Sequence, residues 1–252
     1  MRYMLRRLWA LVLAGVLLAG GTAPALAADP GSNTLRILFT HDTHDHWLPG
    51  AAEDGEAYGG YTRLATLIRQ QREALEERPD AQAMVVLDGG DFSMGSLFQS
   101  IYATDAPELR ALGAMGYDVT TFGNHEFDYR AGGLAAMLNA AVESGETLPA
   151  IVEANYRPPE SDTESWAAWE DYGVTDYTVI ERGRSADGDP LRIAVFGVMG
   201  EEADSNAPMS GMEFEPAAQA AQRVVQEIQA REEADFIVCL SHSGTDNGKG
   251  ED

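Results

Sequence analysis

The stretch "LRILFTHDTHDH", residues 35–46, indicates how the chain folds, because an apolar run typical of a strand passes directly into three histidines and two aspartates. The whole sequence holds only five histidines. The other two, His125 in "GNHEFDY" and His242 in "LSHSG", also follow apolar segments. Because ligands bind at the carboxyl ends of the strands in open α/β sheets, this placement predicts one shared site.

Seven short apolar runs rich in β-branched residues predict strands. They span residues 35–40, 83–88, 118–122, 150–154, 177–181, 192–198 and 236–240. Apolar residues at helical spacing predict helices over residues 61–77, 107–115, 134–142 and 216–233. This alternation predicts an α/β fold with substantial parallel pairing. The polar, turn-rich stretches within residues 157–190 indicate an insertion or loop region over the surface.

Residues 1–28 have the layout of a secretory signal peptide. A basic start with Arg2, Arg6 and Arg7 precedes an apolar run over residues 8–19, and small residues follow at 25–27. The alternative is a membrane anchor, but the run is shorter than the ~20 residues that a membrane-spanning helix needs. We therefore expect an exported protein, periplasmic, extracellular or at the cell surface, without a transmembrane segment after processing.

Composition argues against binding to nucleic-acid duplexes and against a cysteine nucleophile. With 41 acidic and 17 basic residues the net charge is −24, which repels nucleic-acid duplexes and leaves small phosphate compounds possible only at a local cation site. Cys239 is the single cysteine, so no disulfide framework exists. Its apolar surroundings in "DFIVCL" predict a small buried hydrophobe and not a nucleophile.

The residues after the strands supply metal donors. Asp42 and His44 are two apart, so on an extended chain both face one side, and this oxygen and nitrogen pair suits Zn²⁺, Mn²⁺ or Fe²⁺. For this pair alone, an aspartate cap beside a solvated histidine is an equal alternative. Asp91 follows two glycines that permit close backbone approach, so its carboxylate could bridge two cations. Asn124 offers an amide oxygen and His242 a further imidazole.

His125 and Asp128 lie three residues apart. If a helical turn begins there, both fall on one face, and the carboxylate can fix the imidazole tautomer and raise its basicity. Each motif has a structural explanation when taken alone. Their conjunction at successive strand ends favours a dinuclear metal site.

Four stretches, "ILFTHDTHDH", "DGGDFSMGS", "GYDVTTFGNHEFDY" and "VCLSHSG", resemble the successive motifs of the calcineurin-like metallophosphoesterases. The "GNHEFD" form resembles the exported bacterial 5′-nucleotidases, a family that includes UDP-sugar hydrolases and 2′,3′-cyclic-nucleotide phosphodiesterases. The resemblance implies a four-layer α/β/β/α sandwich over residues 29–252. It also implies two divalent ions drawn from Mn, Zn, Fe, Co or Mg, and a small nucleotide or related phosphate ester as substrate.

The resemblance also implies a role for individual residues. The metal ligands would be Asp42, His44, Asp91, Asn124 and His242. Asp42 and His44 would bind one ion, and Asn124 and His242 would bind the second. Asp91 would bind both ions. His125 would act beside the phosphoryl oxygens and the leaving group, oriented by Asp128.

Two departures from the family pattern lie in the first motif. Asp45 stands where Gly, Ser or Ala is usual, and it would either add negative charge beside the metals or turn outward. Phe39 stands where His, Glu or Ala is more usual. His46 is an extra donor, for which we expect a solvated or supporting role.

A further departure concerns the end of the chain. The family's closing "GHxH" motif is not reached before Asp252, so we expect a partial catalytic domain without the last histidine pair and the C-terminal substrate domain. The expected function is 5′-nucleotidase-type hydrolysis by metal-activated water. The alternatives are a thiosulfohydrolase of sulfur oxidation with the same fold, or a non-catalytic metal-binding fragment.

Overall fold

The computed structural model describes residues 35–76, 83–183 and 189–244. The expected signal peptide, residues 1–28, lies outside the described residues. Within those ranges the strands are β1 (Leu35–Thr40), β2 (Gly50–Ala51), β3 (Ala57–Tyr58), β4 (Ala83–Asp88), β5 (Val119–Thr120), β6 (Ala150–Ile151), β7 (Tyr156–Arg157), β8 (Tyr177–Arg182), β9 (Leu191–Met199), β10 (Glu213–Phe214) and β11 (Phe236–His242). The helices are α1 (Tyr61–Glu76), α2 (Tyr102–Asp105), α3 (Pro107–Met115), α4 (Arg130–Glu143), α5 (Thr163–Tyr172), α6 (Glu201–Asn206) and α7 (Ala217–Arg231).

Two sheets form the centre of the fold. The first has the order β1-β4-β5-β6, and every neighbouring pair in it is parallel. The second has the order β11-β9-β8, with β11 parallel and β8 antiparallel to β9. Two short antiparallel pairs, β2-β3 and β7-β10, lie outside these sheets. The predicted parallel pairing is confirmed.

The side chains of the central strands alternate between two apolar layers. On β4, Val85 and Leu87 pack against Ile193 and Val195 of β9, so one layer lies between the sheets. The opposite face of β4 packs against helices, in a cluster that also holds residues of α1, α3 and α4. The other face of β9 packs against α7. This is the four-layer α/β/β/α sandwich that the resemblance implied, and successive side chains of both central strands pack into alternate layers.

The region at residues 157–190 was expected to be an insertion or a surface loop; the loop alternative is wrong, and the insertion alternative stays a prediction. Helix α5 lies within it and buries Ala168 and Trp169. Asp162 caps the helix, accepting a hydrogen bond from Ser165 N at 3.1 Å. Its acidic residues Glu164, Glu170 and Asp171 are exposed, which is why the average polarity of the stretch concealed an amphipathic helix.

Other differences are local. The runs 118–122 and 150–154 pair as strands only over Val119–Thr120 and Ala150–Ile151, and α4 begins four residues before its predicted start. Cys239 is exposed, contrary to expectation, because alternation along β11 points it to the face opposite the buried Leu240. No helix in the described ranges combines the length and apolarity that a bilayer crossing requires.

Candidate metal centre

The loops that follow β1 and β4 run side by side, because the two strands end in register at Thr40 and Asp88. Backbone hydrogen bonds continue the pairing beyond the strands. Asp42 N donates to Gly90 O at 3.0 Å, and His44 N donates to Asp91 O at 3.0 Å. The first motif and the "DGGD" motif are thereby held together as one unit.

The backbone in these loops is left-handed at several positions that are not glycine. Asp42, His44 and Asp45 have φ of 51°, 43° and 42°, and Asp91 has φ of 52°. The expectation that Asp42 and His44 share one side of an extended chain is therefore wrong. Such conformations cost on the order of 1–3 kcal/mol each and concentrate at functional sites.

Gly123 allows the third motif, "GNHEFDY", to lie close to Asp91 and His242. A Cβ atom at Gly123 would collide with Asp91 Oδ1 and would lie 2.6 Å from His242 Cε1. Any larger residue would push the strand-end loops apart. The glycine is thus required by packing and not by an unusual backbone angle.

The Asp91 carboxylate is the centre of the arrangement. Its Oδ2 lies 3.3 Å from His242 Nε2 and 3.8 Å from His44 Nε2. Two groups of possible ligand atoms include this carboxylate, and the atoms of each group lie within 4.8 Å of one another. One group adds His44 and His125, and the other adds Asp42 and His242. The resemblance pairs Asp42 with His44, and that assignment stays a prediction.

Asn124 enters the site through its place in the chain. It precedes a single 3₁₀ turn, His125–Phe127, and its carbonyl accepts a hydrogen bond from Phe127 N at 3.2 Å. The following backbone N–H, that of His125, donates to Asp91 Oδ1 at 2.8 Å. The turn is therefore fixed directly against the shared carboxylate, and the ligand role of Asn124 stays a prediction.

Two imidazoles are oriented by backbone carbonyls. His44 Nδ1 lies 3.0 Å from Ser93 O, and His242 Nδ1 lies 2.8 Å from Gly89 O. A carbonyl only accepts, so Nδ1 carries the proton in both rings and Nε2 faces Asp91. Imidazole nitrogens fixed in this way, beside carboxylates, are a donor set that fits borderline divalent ions such as Zn²⁺ or Mn²⁺.

His242 and Asp91 perturb each other. Burial alone would lower the pKa of His242, but the hydrogen bond and charge of Asp91 outweigh it and raise the pKa to about 9. Burial alone would raise the pKa of Asp91, but His242 and the His125 backbone N–H bring it below its ordinary value. A cation bound at His242 Nε2 would replace the proton held there.

His125 stands at the rim of the site. Its Nδ1 lies 2.9 Å from Asp128 Oδ2, which is the contact expected from the helical turn, and its ring meets the His44 ring edge-on at 5.0 Å. Burial acts to lower the pKa of His125, but the hydrogen bond to Asp128 and the negative charges of Asp91, Asp128 and Glu126 together outweigh it and raise the pKa. Nε2 is the atom left to meet a ligand. The two residues are together, and their catalytic roles stay predictions.

Glu126 is a site residue that sequence reasoning missed. Its buried carboxylate accepts hydrogen bonds from Asp91 N at 2.9 Å and Gly123 N at 2.7 Å, and from both the N and the Oγ of Ser93. It thereby clamps the second and third motifs together. Burial and the negative charge of Asp91 raise the pKa of Glu126. Its position inside "GNHEFD" was the available signal.

Two more buried acids support the strand ends. Asp88 accepts from Thr40 Oγ1 at 2.8 Å and Thr120 Oγ1 at 2.9 Å, and burial raises its pKa to about 7. Glu153 accepts from Thr121 Oγ1 at 3.1 Å, and burial raises its pKa to about 8. A cation bound at the adjacent site would favour the charged form of both carboxylates.

The model of the calcineurin-like phosphoesterase family matches residues 35–252. The chain belongs to this family. Among its relatives, protein UshA of Escherichia coli is 28% identical over 238 residues, covering 92% of this chain and 38% of UshA. The trifunctional nucleotide phosphoesterase YfkN of Bacillus subtilis is 28% identical over 232 residues, covering 83% of this chain and 14% of YfkN.

Solved structures agree with the family fold. A 5′-nucleotidase precursor from Thermus thermophilus superposes with a TM-score of 0.64 at 25% identity, over 83% of this chain and 37% of that one. The sulfate thiohydrolase SoxB from Thermus thermophilus gives a TM-score of 0.61 at 18% identity, over 84% of this chain and 44% of that one, and shows the shared fold alone. This chain spans less than half the length of each of these relatives.

Proposed function

We propose that this chain carries the catalytic domain of an exported phosphohydrolase that uses two divalent ions to hydrolyse nucleotide phosphate esters. The observation that supports it is the Asp91 carboxylate, which two groups of donor atoms share. One carboxylate between two donor groups is what a two-metal phosphoesterase needs, because its ions lie only about 3.5–4 Å apart. Nucleotide phosphoesterases among the relatives supply the substrate class.

Asp42, His44, Asp91, Asn124 and His242 would hold the ions. When bound, the two cations supply charge that neutralises the phosphate oxygens and lower the pKa of the attacking water. The protein's own contribution is rigidity. Carbonyls of Ser93 and Gly89 fix two of the imidazoles, and Glu126 fixes the loop that carries Asp91.

His125 would act on the leaving group. The hydrogen bond from its Nδ1 to Asp128 favours the protonated ring, so Nε2 can donate a proton or a hydrogen bond to the departing oxygen. The ring is half-exposed and edge-on to His44, so it adjoins the donor groups and remains reachable from solvent. The substrate would be a small nucleotide, because the net charge of −24 opposes a duplex.

The test is phosphate release from AMP, a 2′,3′-cyclic nucleotide and UDP-glucose with Mn²⁺, measured on this chain and on the protein at the length of its relatives. We expect turnover with at least one substrate, and a loss of more than about 100-fold in Asp91→Asn, since even supporting residues contribute 10–100-fold. Glu143→Gln, an exposed acid on α4, is the matched control and keeps the full rate.

Calorimetric titration with Mn²⁺ separates the remaining possibilities. Two tight sites are expected for a competent centre, whereas one weak site would indicate a non-catalytic metal-binding fragment. Release of sulfate from a carrier-bound thiosulfonate without phosphate release from any nucleotide would assign the sulfur-oxidation branch instead. Full activity in His125→Ala would remove that residue from the mechanism.

A further inference from the structure

A pocket opens beside the metal centre, between the β2-β3 hairpin and the first turns of α1. Its volume is about 610 Å³, within the range of ~300–1,000 Å³ that is typical of small-molecule sites. Asp42 lines this pocket and also contributes a carboxylate oxygen to one of the two donor groups. The pocket therefore begins where the ions would lie, and one ligand can reach both places.

The walls of the pocket are mostly apolar, although they are open to solvent. Leu48, Tyr58 and Leu67 line the pocket and are 76%, 62% and 50% exposed. Apolar side chains that are exposed singly need no explanation, but several around one concavity mark a ligand site. The lining favours a ligand with an apolar or aromatic surface.

Tyr58 is held in position by the hairpin. It pairs with Gly50 across the two strands, and a Cβ atom at Gly50 would lie 3.0 Å from Tyr58 Cζ. The ring therefore packs on the bare backbone of Gly50, where a larger side chain would displace it. The hairpin is closed by a hydrogen bond from Ala52 N to Glu56 O at 2.8 Å. A ring that is supported by backbone and exposed to a pocket gives a planar ligand a surface for stacking.

The floor of the pocket connects α1 to the loop of the first motif. Tyr61 begins α1 and is buried; its hydroxyl lies 3.1 Å from Thr43 Oγ1, and its N donates to Trp47 O at 3.1 Å. The Trp47 ring also stacks on the Tyr61 ring, with 5.1 Å between their centroids. These contacts fix the floor to the residues that follow Asp42, so the pocket keeps its position beside the metal centre.

Arg63 supplies a positive charge to the pocket. Its side chain is exposed, its Nη1 donates to Gly59 O at 3.3 Å, and no carboxylate within the described ranges forms an ion pair with it. A guanidinium has five N–H donors, so most of those on Arg63 are left for acceptor atoms of a ligand. The pocket thus combines apolar walls with a cluster of donors.

We propose that this pocket binds the nucleobase of the substrate while the dinuclear centre holds its phosphate. The proposal rests on the proposed nucleotide hydrolysis and adds a place for the base within this chain. Tyr58 stacks on the base, and Arg63 donates hydrogen bonds to acceptor atoms at its edge. Every base has a π-face, so a stacking site of this kind accepts purines and pyrimidines alike.

Kinetics with AMP and ribose 5-phosphate test the pocket, because the two share the ester and the sugar and only AMP has a base. Tyr58→Ala should lower the ratio of kcat/KM for AMP to kcat/KM for ribose 5-phosphate by about 5–100-fold, the range expected for one lost base–aromatic stack. The loss should appear as a higher KM for AMP, since stacking is the same in the ground state and the transition state. Tyr58→Phe keeps the ring and should restore the ratio.

Binding of adenosine in the presence of Mn²⁺ tests the pocket without turnover, because adenosine has no phosphate to hydrolyse. By calorimetry or ligand-observed NMR we expect a Kd on the order of 1 mM, weakened at least about 5-fold in Tyr58→Ala. Val142→Ala is the matched control, because it removes an exposed apolar side chain of α4 outside the pocket and should leave adenosine binding unchanged. If Tyr58→Ala does not fold, Gly50→Val, which displaces the ring, replaces it.

The proposal is overturned if adenosine binds the wild type and Tyr58→Ala equally well, or binds neither. Hydrolysis of AMP with an unchanged ratio in Tyr58→Ala also overturns it, and leaves the proposed phosphohydrolase standing. Adenosine binding that depends on Tyr58, without hydrolysis of any nucleotide, would support the pocket and count against the phosphohydrolase. Failure of the pocket and failure of the proposed function are therefore distinguishable.

Discussion

The layer between the two sheets and the strand-end face are built from the same strands but by opposite rules. Val85 and Leu87 of β4 are fully buried against Ile193 and Val195, in an apolar layer. Four residues past Leu87, Asp91 lies in a left-handed loop among other acids. Regular strands and apolar burial stabilise the first region, while the second combines backbone strain with like charges.

This difference indicates where the stability and the binding capacity of the chain are located. The inter-sheet layer should tolerate no loss of volume, yet its substitutions should leave the chemistry of each folded molecule intact. Substitutions at the strand-end face should instead impair ion binding and cost the fold little stability. Sites that bind charged ligands are commonly held in such strained, unfavourable states by the surrounding fold.

The largest expected effect belongs to the apolar layer. Ile193→Ala leaves a cavity at a fully buried position and should lower the free energy of unfolding by about 2–5 kcal/mol. Urea unfolding measures this loss, and Mn²⁺ affinity per folded molecule should not change. A variant that keeps its stability but loses Mn²⁺ would show that the two regions are not separable in this way.

The next effect belongs to the clamp at the strand-end face. Glu126→Gln replaces a carboxylate that accepts four hydrogen bonds with an amide that turns two donors toward N–H groups. We expect metal affinity and activity to fall by about 10–100-fold, the range for groups that orient ligands. Calorimetry and initial rates measure it, beside Glu143→Gln as the exposed control. An unchanged affinity would mean that Asp91 needs no such support.

The smallest effect is a shift in pH dependence. Asp128 raises the pKa of His125, so the ring stays protonated to higher pH than it otherwise would. In Asp128→Asn this pKa falls, and the alkaline limb of the kcat profile should move to lower pH if protonated His125 assists the leaving group. If the alkaline limb stays in place, a group other than His125 sets it.

The sequence predicted much of the architecture, since the runs at β1, β4 and β9 and the helical periods of α1 and α3 appear at nearly the predicted bounds. Those elements are long and strongly patterned. The failures are equally physical. Helix α5 was hidden because its exposed face is acidic, and Cys239 was misplaced because an apolar run does not show which face of a strand is covered.

At the site, residue types and their strand-end placement were enough to predict that Asp42, His44, Asp91, His125 and His242 lie close together. The sequence could not give the left-handed turns at Asp42 and His44, because local propensity disfavours them and only the pairing with the Asp91 loop imposes them.

By itself, the sequence determined the order of strands and helices and the set of donors, because periodicity and side-chain chemistry are local properties. Only the tertiary structure decided which carboxylates are shared, clamped or left without a partner. Asp91, Glu126 and Asp45 are all acids beside glycine or histidine motifs, and their different environments arise from contacts with residues more than 30 positions away. Burial and hydrogen bonding set the state of a charge, and both depend on the whole fold.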